Sequence, residues 1–311
     1  MAGLFETLTG AAAASRDLGD RGTLRLTGID RVRFLNGMLS NDVAKLGPGE
    51  TCYAMLLNRK GRILADLLVL ALEDGLLLDT APGTHTEVRQ VLERHIIADD
   101  VVIHDLSEAW GHVGLEGPGV RSELESESMP LPAPGWFVRA ERDGETFLWV
   151  GGGSLTPEGL QVLGPRAPLA KLAVGLGLPG LSEKEVEVLR IEAFLPVYGI
   201  DMTEQNFPVE ARLEHAVSYT KGCFVGQEIV GRIRSHSAVK RLLVQIHAEA
   251  PVKPGASIRV GGTVVGEITS AVISPLSGPM ALGYVRTAGA APGTALDLEG
   301  VSGRVAGPPL S

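Results

Sequence analysis

Apolar and polar residues alternate with a period of two near the start of the chain, and the period then changes. Thr23-Leu-Arg-Leu-Thr27 reads as a short strand that stops at Gly28, and Asp30 is placed to cap a helix through Phe34 and Leu35 to Leu39. Extended runs follow over residues 52–58, 62–72 and 75–80, separated by the turn signals Asn58-Arg-Lys-Gly61 and Glu73-Asp-Gly75. Residues 86–95 carry the spacing of an amphipathic helix, and 101–104 that of a strand. Strands and helices mixed over such short distances predict α+β layers with a largely antiparallel sheet.

The stretch 117–135 holds Pro118, Pro130, Pro132 and Pro134 with a Ser/Glu run, and is predicted to be a surface loop rather than a core element. Strands are expected at 136–139 and 147–150, followed by a Gly-rich bend and helical sequence. Ser182-Glu-Lys-Glu185 is a capping box, and it opens a helix that ends before Pro196. From Arg241 onward the pattern is all β. Runs at 242–247, 257–260, 264–271 and 281–285 alternate with Gly/Pro turns, the signature of a separate barrel of roughly 65 to 70 residues.

Composition narrows the function classes. With 311 residues the chain is expected to form two or three domains. A net charge of −9 argues against a general nucleic-acid coat, so any anion site must be local. The two cysteines, Cys52 and Cys223, lie far apart and fit a reducing compartment rather than a disulfide framework. The start lacks a secretory pattern, and Asp66, Glu73 and Asp74 interrupt the most apolar stretch, so the expectation is a soluble cytoplasmic protein with no membrane partner. The seven histidines show no His-x3-His spacing, and no Cys-x2-Cys is present, so no zinc site is expected.

Three places carry candidate chemistry. Lys221-Gly-Cys-Phe-Val-Gly-Gln-Glu228 sets a thiol between glycines, and residues 221–241 hold five Lys/Arg against one acidic residue. Such a segment can bind an anion or do sulfur chemistry; equally, a free cysteine can be a small buried hydrophobe and a charge run a solvated face. Glu192 has Val188, Leu189, Leu195 and Pro196 as its helical neighbours. A carboxylate on that apolar flank either pairs with an arginine or accepts hydrogen bonds from a ligand with adjacent N–H groups. Asp66 sits between apolar neighbours in a strand: it faces solvent by alternation or, if buried, is a base or amine-binding group. Asn41 and Asp42 read as helix-stop and turn residues.

Together these motifs resemble one family. The segment Lys221–Glu228 looks like the signature of YgfZ-type folate-binding proteins, relatives of the glycine-cleavage T-protein (aminomethyltransferase) linked to iron–sulfur cluster assembly or repair. Residues 28–43, Leu57-Asn-Arg-Lys-Gly-Arg-Ile-Leu-Ala-Asp66, Arg190-Ile-Glu-Ala193 with Tyr198-Gly-Ile-Asp201, and Gly266-Glu-Ile-Thr-Ser270 with Ser274-Pro275 resemble the wider superfamily, in family order. The resemblance implies two ferredoxin-like α+β units plus a C-terminal β-barrel. The expected divisions are 1–48 with 108–235, 49–107, and 236–311.

It also implies a tetrahydrofolate site with Glu192 on the pterin, Tyr198 beside it and Asn41 near the cavity. Arg232 would meet the folate's glutamyl carboxylate, Lys221 would also bind the cofactor, and Asp66 near the cavity and the thiol of Cys223 would be the catalytic residues. The partners it implies are a folate and, beyond that, iron–sulfur proteins or assembly factors. Ala65 stands where the T-protein pattern has a second acidic residue, and Phe194 where it has glycine. The complete Lys221–Glu228 motif on the superfamily framework favours an accessory folate-binding role in iron–sulfur cluster assembly or repair; the alternative, against which Ala65 counts, is a folate-dependent aminomethyl- or methyltransferase.

Overall fold

The computed structural model describes residues 2–235 and 239–306. In chain order the first elements are α1 (Ala2–Thr9), β1 (Ala14–Asp17), β2 (Gly22–Thr27), α2 (Arg31–Met38), β3 (Thr51–Leu57), β4 (Ile63–Ala71) and β5 (Leu76–Thr80). Next come α3 (His85–Glu93), β6 (Val102–Asp105), β7 (Trp110–Glu116), α4 (Val120–Ser126), β8 (Phe137–Arg142), β9 (Glu145–Gly151) and β10 (Leu160–Pro165). Three helices follow, α5 (Arg166–Gly175), α6 (Glu183–Glu192) and α7 (Gln227–Ser235). The last strands are β11 (Arg241–Ala248), β12 (Ser257–Val260), β13 (Thr263–Ser274), β14 (Gly278–Arg286), β15 (Ala295–Leu298) and β16 (Val301–Val305).

They build two five-stranded sheets, ordered β3-β4-β5-β2-β6 and β1-β7-β10-β9-β8, and a closed barrel β11-β14-β13-β12-β15-β16. Every pairing within them is antiparallel. This is the T-protein-like fold with a C-terminal barrel.

Alternation in β4 decides how the first sheet packs. Ala65, Leu67 and Val69 turn to one face, where they pack with Phe34 and Leu35 of α2 and Val88 and Leu92 of α3. The opposite face meets the second sheet: Leu70 and Leu77, paired across β4 and β5, pack on Phe137, Leu148, Val150 and Leu163. Two residue pairs further along, the register sets Leu68 opposite Asp79, and Ala81 N–H donates to the carbonyl of Asp66. The face between the sheets therefore changes from apolar to acidic within two steps. That change creates the site.

The barrel is joined to the rest through α6. The predicted capping box forms in full, with Ser182 and Glu185 exchanging bonds. At the other end of α6, Gln245 Nε2 of β11 donates to the carbonyls of Ile191 (2.6 Å) and Glu192 (3.1 Å), satisfying groups the helix leaves open. Ile191 packs on Leu243, Met280 and Leu282 of the barrel.

One expectation is corrected. The stretch 117–135 is not all loop: α4 lies within it, because Val120 and Leu124, one helical turn apart, are buried with Trp149 and Leu160. Strand β2 pairs with β5 and β6, and its Leu24 and Leu26 belong to that sheet's core. Strands β1, β7, β10, β15 and β16 were not foreseen. Among the described residues no helix is long and apolar enough to cross a membrane.

Candidate functional site

Where the inter-sheet face turns acidic, a cavity of about 680 Å³ opens, a volume suited to a ligand of cofactor size. Its walls come from β3–β5 (Tyr53, Asp66, Asp79), from the β1–β2 connection (Arg21), from the residues after α6 (Phe194, Tyr198) and from the 211–215 segment (His215). Asp66 is the centre of this arrangement. Its Oδ2 accepts from the Tyr53 hydroxyl at 2.8 Å, while its Oδ1 is buried with no donor. Burial pushes the Asp66 carboxyl above the ordinary aspartate range, opposed by the Arg21 guanidinium and the Tyr53 bond. A buried polar oxygen left unpaired costs about 1–3 kcal/mol, and more when charged.

The aromatic walls are held in place from behind. Tyr53 stacks on His215 with ring centroids 5.7 Å apart, and Asn41 Nδ2 donates to the carbonyls of both residues, at 2.8 and 3.3 Å. Asn41 thus reaches the cavity through two of its wall residues. Burial pushes both phenols up, Tyr198 to about 12, so each remains a hydrogen donor at neutral pH. Arg190 also lines the cavity, locked by Asp201 at 2.9 Å, by Ser270 at 2.8 Å and by Glu187.

A further wall comes from the Gly-rich bend at 151–156. Buried Glu116 accepts bonds there from Ser154, Leu155 and Thr156. A Cβ on Gly153 would lie 2.3 Å from Glu116 Oε2, so only glycine lets the bend close on that carboxylate.

The other sequence-derived candidates lie elsewhere. Glu192 is half-buried and its carboxylate accepts from Ser274 Oγ of the barrel, a partner that neither sequence reading anticipated. Lys221 is buried, and its ammonium donates to the carbonyls of Asn36, Leu39 and Asn41 at 2.5, 2.7 and 2.7 Å. It closes the C-terminal end of α2, the end where a positive charge is favoured. Arg232 is exposed and pairs with Glu228 one turn earlier in α7. Cys223 is exposed in a separate surface depression with Gly37, Arg59 and Gln227, outside the cavity that holds Asp66. The structure therefore brings Asp66 and Tyr198 into one cavity with Asn41 just behind. Glu192, Lys221, Arg232 and Cys223 are not among the residues lining it.

Tyr53, Arg21 and Asp79 escaped the sequence reading. Asp79 had a visible signal, an acid inside the apolar run Leu76-Leu-Leu-Asp79, the same pattern that singled out Asp66. Tyr53 and Arg21 had none, because their place depends on strand register.

Comparison with known proteins agrees with this architecture. Residues 9–130 match the GCVT N-terminal domain, and residues 241–308 match the glycine cleavage T-protein C-terminal barrel domain. An aminomethyltransferase of Streptomyces avermitilis is 30% identical, across 91% of this chain and 82% of its own length. This chain belongs to the glycine cleavage T-protein (aminomethyltransferase) family. An aminomethyltransferase of Nostoc sp. is 27% identical over 93% of the chain and 81% of its own. The crystal structure of the glycine cleavage system aminomethyltransferase T from Bartonella henselae has the same fold, with a TM-score of 0.89 over 98% of this chain and 88% of its own, at 24% identity. Within this aminomethyltransferase family member, the N-terminal match includes Arg21, Tyr53, Asp66 and Asp79, the acidic side of the cavity.

Proposed function

We propose that this protein binds a reduced folate in the cavity at Asp66 and acts as a folate-dependent aminomethyl- or methyltransferase. The observation that carries the reading is the buried, donor-less Asp66 Oδ1 at the wall of a cavity large enough for a pteridine. Family membership and relatives named aminomethyltransferase support it. The cavity fits such a ligand in its chemistry. It offers a carboxylate for N–H groups, the phenol of Tyr198 as a donor, and ring faces at Phe194 and His215.

A bound reduced folate would supply the acceptor for the one-carbon unit. Asp66 would hold an N–H of the ligand or of the incoming amine at Oδ1, while Tyr53 fixes the carboxylate through Oδ2. Asp66 is the carboxylate that β4 presents to the cavity, because Ala65 turns to the opposite face and packs with α2 and α3. The test is formation of methylenetetrahydrofolate from a protein-bound aminomethyl donor. Turnover that disappears in Asp66→Ala supports the reading, and no turnover with the wild-type protein rejects the transferase.

A second reading keeps folate binding but assigns the work to Cys223, as an accessory protein for iron–sulfur cluster enzymes. The exposure of that thiol, apart from the folate cavity, favours it. Among the described residues no group of three or more His, Cys, Asp or Glu has metal-holding geometry, so a cluster would need ligands from a partner. Growth of a deletion strain on Cys223→Ala discriminates. Full complementation rejects the thiol, and loss of cluster-enzyme activity with folate binding retained supports it.

A further inference from the structure

The cavity's acidic wall contains a second carboxylate that the transfer chemistry above does not use. Asp79 lies on the same sheet face as Asp66, next to it through the β4–β5 register. Its Oδ1 accepts from Arg21 Nε at 2.6 Å, and Arg21 Nη2 also donates to the Asp79 carbonyl at 3.3 Å. Two bonds to one residue fix the plane of the guanidinium. Behind Asp79 stands His112 of β7, fully buried, with Nδ1 3.3 Å from Asp79 Oδ1 and Nε2 2.7 Å from Thr23 Oγ1. Asp79 is thus wedged between a cation on the cavity side and an imidazole on the far side. Its Oδ2 has no donor.

We propose that Arg21 and Asp79 are positioning residues that set the charge state of Asp66. Asp79 holds the Arg21 guanidinium at the cavity wall and shares its charge, so that Arg21 only partly offsets the burial of Asp66. For the transfer reaction, on whose reading the importance of Asp66 rests, this division matters. A fully paired Asp66 would stay ionised but be taken up by Arg21, and an unopposed one would be neutral. The shared arginine keeps Asp66 ionisable while leaving Oδ1 for the ligand.

The titratable and charged groups sharing the cavity with Asp66 are Tyr53 from β3, Asp79 from β5, Arg16 and Asp17 from β1, Asp20 and Arg21 from the β1–β2 connection, Arg190 from α6, Tyr198 from the segment after it, and Arg212 and His215 from the 211–215 segment; of these, Arg21, Tyr53 and Asp79 act on the Asp66 carboxyl. Arg21 lowers the Asp66 carboxyl and Asp79 raises it, so the two residues make opposite predictions when removed.

The experiment is a carbon-13 NMR titration of the Asp66 carboxyl in the ligand-free protein, for wild type, Arg21→Gln and Asp79→Asn. Asp79→Asn removes one repulsion and releases Arg21, and its midpoint is expected about one pH unit lower; Arg21→Gln is expected about one unit higher. Opposite shifts establish the division of charge, since a merely structural role would change thermal stability but not the midpoint. Folded variants whose Asp66 midpoints match wild type overturn it. Should Asp79→Asn fail to fold, Arg21→Gln decides alone, an upward shift supporting and no shift overturning. Calorimetry with 5-formyltetrahydrofolate on the wild type is run alongside. Absence of binding there rejects the folate reading, whereas the NMR shifts judge the charge division independently.

Discussion

Lys221 is a buried charge and Asp66 a half-buried one, yet only Lys221 is satisfied by the protein. Lys221 meets three carbonyls, while Asp66 keeps a bare oxygen. Their substitutions should diverge accordingly. Lys221→Met strands three carbonyls at the end of α2 and is expected to lower unfolding free energy by about 2–4 kcal/mol in a urea titration. Asp66→Asn acts the other way. A carboxyl raised in the folded state binds its proton more tightly there than in the unfolded chain, so its ionisation at neutral pH costs stability. The neutral isostere is expected to raise the thermal midpoint while weakening reduced-folate binding by about tenfold, the equivalent of about 1.4 kcal/mol.

His112 supplies a pH signature. Burial lowers its imidazole below the ordinary 6.5 despite Asp79. The unfolded chain then takes up the proton first as pH falls. Stability from this group is full above about 6.5 and declines as pH drops toward the lowered folded value. His112→Gln should flatten that part of the stability profile in pH-dependent urea titrations.

At the scale of elements, the turn preceding α7 joins two distant parts of the chain. Gly226 has φ +84°, and a Cβ there would lie 2.7 Å from the carbonyl of Asn58 and 3.0 Å from Gly61 Cα, both backbone. Gly226→Ala is expected to cost about 1–3 kcal/mol and to displace the Cys223 loop, read by faster alkylation of its thiol or by hydrogen exchange at 222–230. Fold elements with strong local signals were legible in sequence. The 182–185 capping box, the hairpin at Asn58–Gly61 and the four barrel runs all form. Helix α4 was hidden because its Pro/Ser/Glu surroundings mask a two-residue apolar contact, Val120 and Leu124. The site divided along the same line. An acid inside an apolar strand announces itself, as Asp66 did. The location of Cys223 outside the cavity, the consumption of Lys221 by backbone and the pairing of Glu192 with Ser274 depend on tertiary approach, which no local pattern encodes.

Across the whole molecule, the two facing sheets and the segments after α6 and at 211–215 line one cavity in a chain of net charge −9. The acidic bulk does not exclude an anionic ligand, because Arg16, Arg21, Arg190 and Arg212 all line that cavity. Cavity and thiol are separate places, so ligand binding and Cys223 function should separate by mutation. Cys223→Ala is expected to leave 5-formyltetrahydrofolate affinity within about twofold of wild type by calorimetry, since Cys223 lines a separate depression that shares no lining residue with the cavity. The most direct test of the central claim is a crystal structure of the complex with a reduced folate. The account predicts a pteridine between Tyr53 and Tyr198 with one of its N–H groups on Asp66 Oδ1. A folate seated in the Cys223 depression, with the Asp66 cavity left to solvent, would contradict it.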